Sequence, residues 1–278
     1  HVVLQDGWDP AELVELIEQH QIQISMGATP FLADILGVEK VEERNLTSWK
    51  RFVCAGAAVP EPVLEDADAR LPCVVLPGWG MTECGLLTAG RPSDSLTSRL
   101  TDGTPFAGNE VRVVTEQSEA VLGVEGDLQC RGSLLFAGYV QGRELTEGSW
   151  DGSWFKTGDR AVMNDDGSIR ITGRSKDIII RGGENIPVKE VEDLLLRHPQ
   201  VLGVAIVGKP DERLGETGCA FVIAADKSPT LDALTEFLEV EGVTRQFWPE
   251  DLVLVEEFPM TPSGKVQKYK LREEFLAK

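Results

Sequence analysis

The chain has 278 residues, 42% of them apolar and 26% charged, which supports a packed core and fits two compact domains, or one large one with an appendage, while excluding collagen-like, disordered and disulfide-scaffold classes. With 27 basic against 46 acidic side chains the net charge is −19. No general nucleic-acid or anionic-membrane surface is expected, because counterion release needs Lys and Arg in excess; a local basic site for an anionic small molecule remains open.

In chain order, a strand-like start leads into a helix within the first 20 residues. Asp9 can cap it, Pro10 suits its first position, Glu12 lies three residues after Asp9, and Leu13, Leu16 and Ile17 give an apolar face. Short β-like runs at 52–54 and 74–76 each lead into a Gly/Pro segment. That alternation predicts parallel strands whose terminal loops carry function. From about residue 103 the texture changes to short strand candidates: VRVV (111–114), DLQCR (127–131) and SIRIT (168–172), with NDDG (164–167) as a turn. This reads as a small, mostly antiparallel β region. Beyond residue 173 come a helix at 188–196, strands at 203–208 and 219–225, a helix at 230–240 and a strand at 251–258. The expected class is therefore α/β followed by α+β. The acid excess falls mostly before residue 174, and the tail from Lys265 onward is locally basic.

Cys54, Cys73, Cys84, Cys130 and Cys219 are odd in number and form no CxxC, which predicts free thiols in a reducing compartment. No apolar run reaches the length of a membrane span. The first residue is His1 rather than Met, so the chain is expected to be an internal piece of something longer.

Several chemistries find no support. His1, His20 and His198 have neither HxxxH nor HExxH spacing, against a zinc hydrolase. GRSKD (173–177) fails as a nucleophile elbow, since Asp177 stands where a Gly is needed. GWGMTE (78–83) has Glu83 at the third glycine of a dinucleotide loop, and SGK (263–265) lacks the upstream Gly of a Walker loop.

Four segments are informative as a set: GWGMTE (78–83), WFKTGD (154–159), GRSKDIIIRGGENIPVKEVE (173–192) and TPSGKVQK (261–268). In this order and at these separations they resemble the acyl-adenylate-forming enzymes, which include acyl-CoA synthetases, adenylation domains of peptide synthetases, and luciferases. AGAAVP (55–60), GDLQCRGSLLFAGY (126–139) and GKPDERLGE (208–216) add to the resemblance. It covers essentially the whole chain. The family's Ser/Thr/Gly-rich phosphate loop is absent, so the chain resembles the C-terminal half of such a ligase. The implied division is residues 1–102 as the end of the large α/β AMP-binding domain, 103–173 as its barrel-like β subdomain, and 174–278 as the small mobile C-terminal α+β domain. Without the phosphate loop, the chain alone is expected not to adenylate.

The resemblance also implies roles. Glu83 corresponds to the Mg²⁺-binding glutamate, and Thr82 to a hydroxyl donor for the α-phosphate. Trp79 holds the adenine-stacking position. Gly78 and Gly80 admit the nucleotide, and Met81 is grouped with them although its side chain reads as packing. Gly56, Ala57 and Ala58 of AGAAVP are nucleotide-binding positions by the same resemblance. Asp159 would accept from the ribose hydroxyls, and Arg174 would donate to ribose or phosphate. Lys265 would stabilise the charge of adenylation. Lys176 matches the hinge between an adenylating and a thioester-forming pose. Gly182, Gly183, Glu184 and Asn185 would then face the site and admit pantetheine, with Arg181 and Lys209 as weaker candidates for CoA phosphates.

The cofactors implied are ATP/AMP, Mg²⁺ and coenzyme A. The partner is a small-molecule carboxylic acid. Self-association through apolar surface at residues 1–60 is a further expectation, and the location expected is cytoplasmic. Within the family the chain most resembles medium-chain fatty-acyl and cyclohexanecarboxylate-type CoA ligases. An aryl-acid adenylating enzyme that loads a carrier protein stays open as a reading. So does a non-catalytic nucleotide- or CoA-binding remnant.

Overall fold

Asp9 starts the first regular element: its Oδ1 accepts from the N–H of Ala11 at 2.9 Å and of Glu12 at 3.1 Å, and Pro10 follows in the first turn. The helix, α1 (Pro10–His20), buries Val14 and Ile17. In the computed structural model, which describes residues 1–56, 59–115, 122–140, 142–261 and 265–276, residues 1–9 are not a strand, contrary to the sequence expectation. Their β-branched pattern finds no neighbour to bond with, and Val2 and Leu4 stay 80% and 85% exposed. The chain divides into two units, His1–Thr157 with Ala161–Ile171, and Gly158–Arg160 with Thr172–Lys278.

The first unit continues with β1 (Ile24–Gly27), α2 (Thr29–Leu36), β2 (Arg51–Ala55), α3 (Glu61–Arg70), β3 (Val74–Met81), β4 (Gly85–Ala89), α4 (Leu96–Arg99) and β5 (Thr104–Pro105). The sheet order is β1-β2-β3-β4-β5. The first three strands are parallel, and β4 and β5 are antiparallel additions. Parallel neighbours need a crossover, and α2 and α3 supply them. Val14, Ile17, Leu32, Ile35, Trp49, Phe52, Leu64 and Val75 form the core there. A second, antiparallel sheet follows: β6 (Asn109–Val114), β7 (Glu125–Gly132), α5 (Arg143–Gly148), β8 (Trp150–Asp151), β9 (Trp154–Met163) and β10 (Ile169–Arg174), in the order β10-β9-β7-β6 with β8 on β9.

In the second unit, β11 (Ile179–Arg181), β12 (Glu184–Ile186), α6 (Val188–Leu195), β13 (Val201–Asp211), β14 (Gly215–Ala224), α7 (Leu231–Val240), β15 (Asp251–Leu254) and α8 (Lys268–Leu276) form an α+β layer. The sheet order is β12-β11-β14-β13, with β15 parallel to β14. The run CAFVIA reads as continuously apolar because both faces of β14 are covered. Ala220 and Val222 join the cluster with α6 and α7, whereas Cys219 and Phe221 join the one that contains Leu271 of α8. The strand expected at 251–258 stops at Leu254, where Glu256 and Glu257 have no strand to pair with. Among the described residues, no helix is long and apolar enough to cross a membrane.

Candidate functional site

Parallel strands present their carboxyl ends together, and two of the sequence-selected segments meet at that edge. Ala55 at the end of β2 pairs with Gly78 in β3, so AGAAVP and GWGMTE are neighbours in register. Gly56 takes φ +99°, a turn out of β2 that other residues rarely adopt. Ala57 and Ala58 lie outside the described residues.

GWGM is not the loop that its glycines suggest. It is the second half of β3, antiparallel to β4, with a register shift between Trp79 and Gly80. A Cβ at Gly80 would meet the Gly85 carbonyl oxygen at 2.0 Å, and one at Gly78 would meet the Thr88 carbonyl oxygen at 2.6 Å. Close strand approach therefore demands both glycines whether or not a ligand is bound. Trp79 is 7% exposed and packs with Leu87, Val113, Leu128 and Phe155, so little of its indole face is free. Met81 packs partly buried against the same cluster.

The turn between β3 and β4 carries Thr82 and Glu83. Thr82 is exposed. Glu83 is held twice: its carbonyl accepts from the Phe136 N–H at 2.8 Å, and its Oε1 accepts from the Tyr139 hydroxyl at 2.8 Å. Phe136 stacks edge-on against both Tyr139 and Phe155, which ties this brace to the β-sheet core. Partial burial, then the Glu83 carboxylate, push the Tyr139 phenol above its ordinary pKa. Sequence reasoning missed Tyr139. It ends the segment GDLQCRGSLLFAGY and is one of two tyrosines in the chain, which was the available signal.

Asp159, on β9, is 4% exposed and faces Arg174 of β10 at 3.0 Å. Sequence reading chose these two separately, and adjacent strands bring them together. Lys176 lies in an exposed single turn at 175–177 that follows β10. Gly182 and Gly183, at φ +61° and +88°, form the two-residue turn between β11 and β12, where both central residues need positive φ. A Cβ on Gly183 would meet nothing within 4 Å, so this turn opens onto free space. Glu184 accepts from Gln246, and Asn185 is exposed. Arg181 is engaged by Glu250, and Lys209 by Asp251 at 2.9 Å, a bond that raises the Lys209 pKa. Both cations are thus already neutralised, which counts against free phosphate sites.

The Pro-Ser-Gly turn before Lys265 lies outside the described residues. Lys265 itself is half-buried and has no ion-pair partner among the described residues. It belongs to the second unit, and Glu83 to the first.

The donor set can be tested against Mg²⁺. Among the described residues no three His, Cys, Asp or Glu side chains gather as a metal cage. A lone, braced Glu83 carboxylate fits Mg²⁺ where phosphates and water complete the shell, as is usual for nucleotide-bound Mg²⁺. A groove of ≈ 750 Å³ runs along β1, lined by Trp8, Ile22, Met26 and Phe31 among others. None of the residues selected from sequence lines it.

The chain is 37% identical over 279 residues to the medium-chain fatty-acid–CoA ligase of Escherichia coli (strain K12), covering 99% of this chain and 49% of that one. It is 33% identical to pyochelin synthase PchD of Pseudomonas aeruginosa, covering 98% and 50%. The amide bond synthetase McbA from Marinactinospora thermotolerans superposes with a TM-score of 0.91 at 28% identity, covering 99% of this chain and 56% of that one. ATP-bound MatB from Rhodopseudomonas palustris gives 0.90 at 25%, covering 98% and 54%. The chain spans about half the length of the curated relatives it matches. Its first 140 residues match the family of AMP-binding enzymes, and residues 190–265 match the C-terminal domain of AMP-binding enzymes. The chain therefore belongs to the AMP-binding enzymes, the acyl-adenylate-forming superfamily.

Proposed function

We propose that this chain serves an ATP-dependent carboxylic acid–CoA ligase. A carboxylate oxygen attacks the α-phosphorus of ATP and pyrophosphate leaves. The CoA sulfur then attacks the acyl carbonyl of the acyl-AMP, and AMP leaves. The observation that carries this reading is the pairing of Ala55 at the end of β2 with Gly78 of β3, the strand that leads into the braced Glu83 turn.

In the first step, Lys265 offset charge on the reacting carboxylate and phosphate, and Thr82 donates to the phosphate. Glu83 would hold the hard cation, which when bound would neutralise phosphate charge, and Tyr139 fixes the Glu83 carboxylate. Asp159 and Arg174 hold the ribose side. Adenine stacking by Trp79 is the assignment least supported, since its ring is packed. In the second step, the Gly182–Gly183 turn leaves room for the pantetheine arm, and Lys176 marks the hinge. Functionally the chain divides at 1–102, 103–173 and 174–278. A straight-chain or alicyclic fatty acid is the substrate favoured by similarity to the Escherichia coli ligase. A cytoplasmic location is supported by the five cysteines, all of them buried as thiols.

The second reading, an aryl-acid enzyme that loads a carrier protein, draws support from similarity to the anthranilate CoA ligase AuaEII in complex with anthranoyl-AMP, at 26% identity and TM-score 0.82, for the aryl substrate alone. Pyrophosphate release by the gene product containing this chain, over straight-chain, alicyclic and aryl acids with and without CoA, separates the two. Turnover of aliphatic acids to acyl-CoA supports the ligase. Aryl adenylation without a CoA product moves the answer to the carrier-protein loader. Lys265→Ala should lower acid-dependent pyrophosphate release by ~10²–10³-fold while sparing thioester formation from supplied acyl-AMP. Equal losses in the two half-reactions would contradict the assignment.

A further inference from the structure

Lys265 has a long flexible stem, so its reach depends on where its backbone is held. The flanks of TPSGK are bonded to each other. The Thr261 N–H donates to the Lys265 carbonyl at 2.8 Å, the Lys265 N–H donates to Thr261 Oγ1 at 3.1 Å, and the Gln267 N–H donates to the Pro259 carbonyl at 2.7 Å. Helix α8 begins at the next residue, Lys268. The Gln267 carbonyl accepts from the Lys270 N–H at 2.9 Å, which ties these flanks to the start of α8.

Helix α8 is fastened at three points. Leu271 is 1% exposed, in a cluster with Val207, Phe221 and Phe258. Lys268 and Arg272, four residues apart, project from one side of the helix. Lys268 Nζ meets Glu192 Oε1 at 2.7 Å, and the same oxygen accepts from the Ile206 N–H at 2.6 Å. Glu192 is 8% exposed. Arg272 Nη2 meets Glu216 Oε1 at 2.5 Å, while Glu216 Oε2 accepts from the Ile180 N–H at 3.2 Å. Each carboxylate thus joins a cation of α8 to a backbone amide of the sheet. Glu216, the last residue of GKPDERLGE, reaches β11 just ahead of the Gly182–Gly183 turn.

We propose that these two ion pairs form a clamp that positions Lys265, with Lys268 as its principal positioning residue and Glu216 extending it to the glycine turn. The proposal rests on the adenylation role given to Lys265 above. Lys268 and Arg272 touch no reacting atom in this scheme. They fix the segment from which Lys265 extends, and small misplacements of a catalytic group are costly. A charge-assisted bond to a largely buried carboxylate is directional enough to set that position.

The test compares Lys268→Met, Lys268→Arg and Lys265→Ala in the gene product containing this chain. It reads pyrophosphate release, thioester formation from supplied acyl-AMP, and amide hydrogen exchange. Lys268→Met should slow pyrophosphate release by about 10²-fold and leave the thioester step within about twofold. It should also speed exchange at the Lys265 and Gln267 amides by about tenfold or more, with β13 and β14 unchanged. Lys268→Arg should restore both readouts. Wild-type adenylation and exchange in Lys268→Met would overturn the proposal, as would equal loss in both half-reactions with faster exchange throughout β13 and β14. Arg272→Gln, which breaks the more exposed pair, is the second variant should Lys268→Met fail to fold. It should show the same split at smaller size, and no change there would overturn the clamp. If Lys265→Ala leaves pyrophosphate release intact, the ligase reading falls, and the exchange data still judge the clamp.

Discussion

At Glu83 one carboxylate stands at a turn, with its backbone and its side chain each held by one bond from the segment after β7. Removing the phenol hydroxyl isolates that brace. Tyr139→Phe should lower stability by about 1 kcal/mol, discounted because both groups are partly exposed. Under the proposed function it should also weaken Mn²⁺ uptake in the nucleotide complex by about tenfold, read from water-proton relaxation. Unchanged metal uptake would remove Tyr139 from the site. The buried thiols make a separate prediction. Burial pushes Cys54 up to about 11 and Cys73 and Cys219 up to about 12. In an unfolded chain these thiols ionise near about 8.5. Below that pH both states hold the proton, and the stabilisation is fully present. Above it the unfolded state loses protons that the folded state keeps, so stability falls as pH rises towards the folded values. The urea midpoint should be lower at pH 10 than at pH 8, and Cys73→Ala should flatten that slope.

At the scale of elements, close backbone approach decides the glycines. Gly103 has φ +75°, and a Cβ there would lie 1.9 Å from the Ala89 carbonyl carbon. Gly152 has φ +60° and nothing within 4 Å. Gly103→Ala should cost more than about 3 kcal/mol in chemical denaturation, because strain adds to a backbone collision. Gly152→Asn should cost under about 1 kcal/mol, since only the left-handed conformation is at issue. Similar costs at the two positions would contradict this reading of the β4 packing. The same principle explains why GWGMTE misleads when read by composition. Its glycines look like a flexible loop, yet they serve a strand that lies too near its neighbour for side chains.

For the molecule as a whole, the second unit has cores built from its own residues on both faces of one sheet. Residues 172–278 expressed alone should fold, with cooperative urea unfolding and dispersed amide resonances. A non-cooperative, poorly dispersed chain would show that this core depends on the rest of the protein. Much of the architecture was legible beforehand. Alternating apolar runs and turn signals marked the antiparallel β region and the final α+β unit, because periodicity is a local property. Asp9 and Pro10 marked α1, because capping is satisfied within one turn. The four ordered motifs named the family. Residues 1–9 and 255–258 were misread as extended strand, because a strand needs a neighbour that sequence alone does not supply. The brace from Tyr139 to Glu83, the pairing of Asp159 with Arg174, and the clamp from Lys268 and Arg272 to Glu192 and Glu216 were invisible for a related reason. Each joins residues on separate elements, and only register and packing decide which side chains meet. By itself, the sequence determined the family, the helices and most of the strands, since capping, periodicity and ordered motifs depend on neighbours along the chain. Tertiary structure alone decided which carboxylates are held, and by what, because those bonds form between segments that only folding brings together.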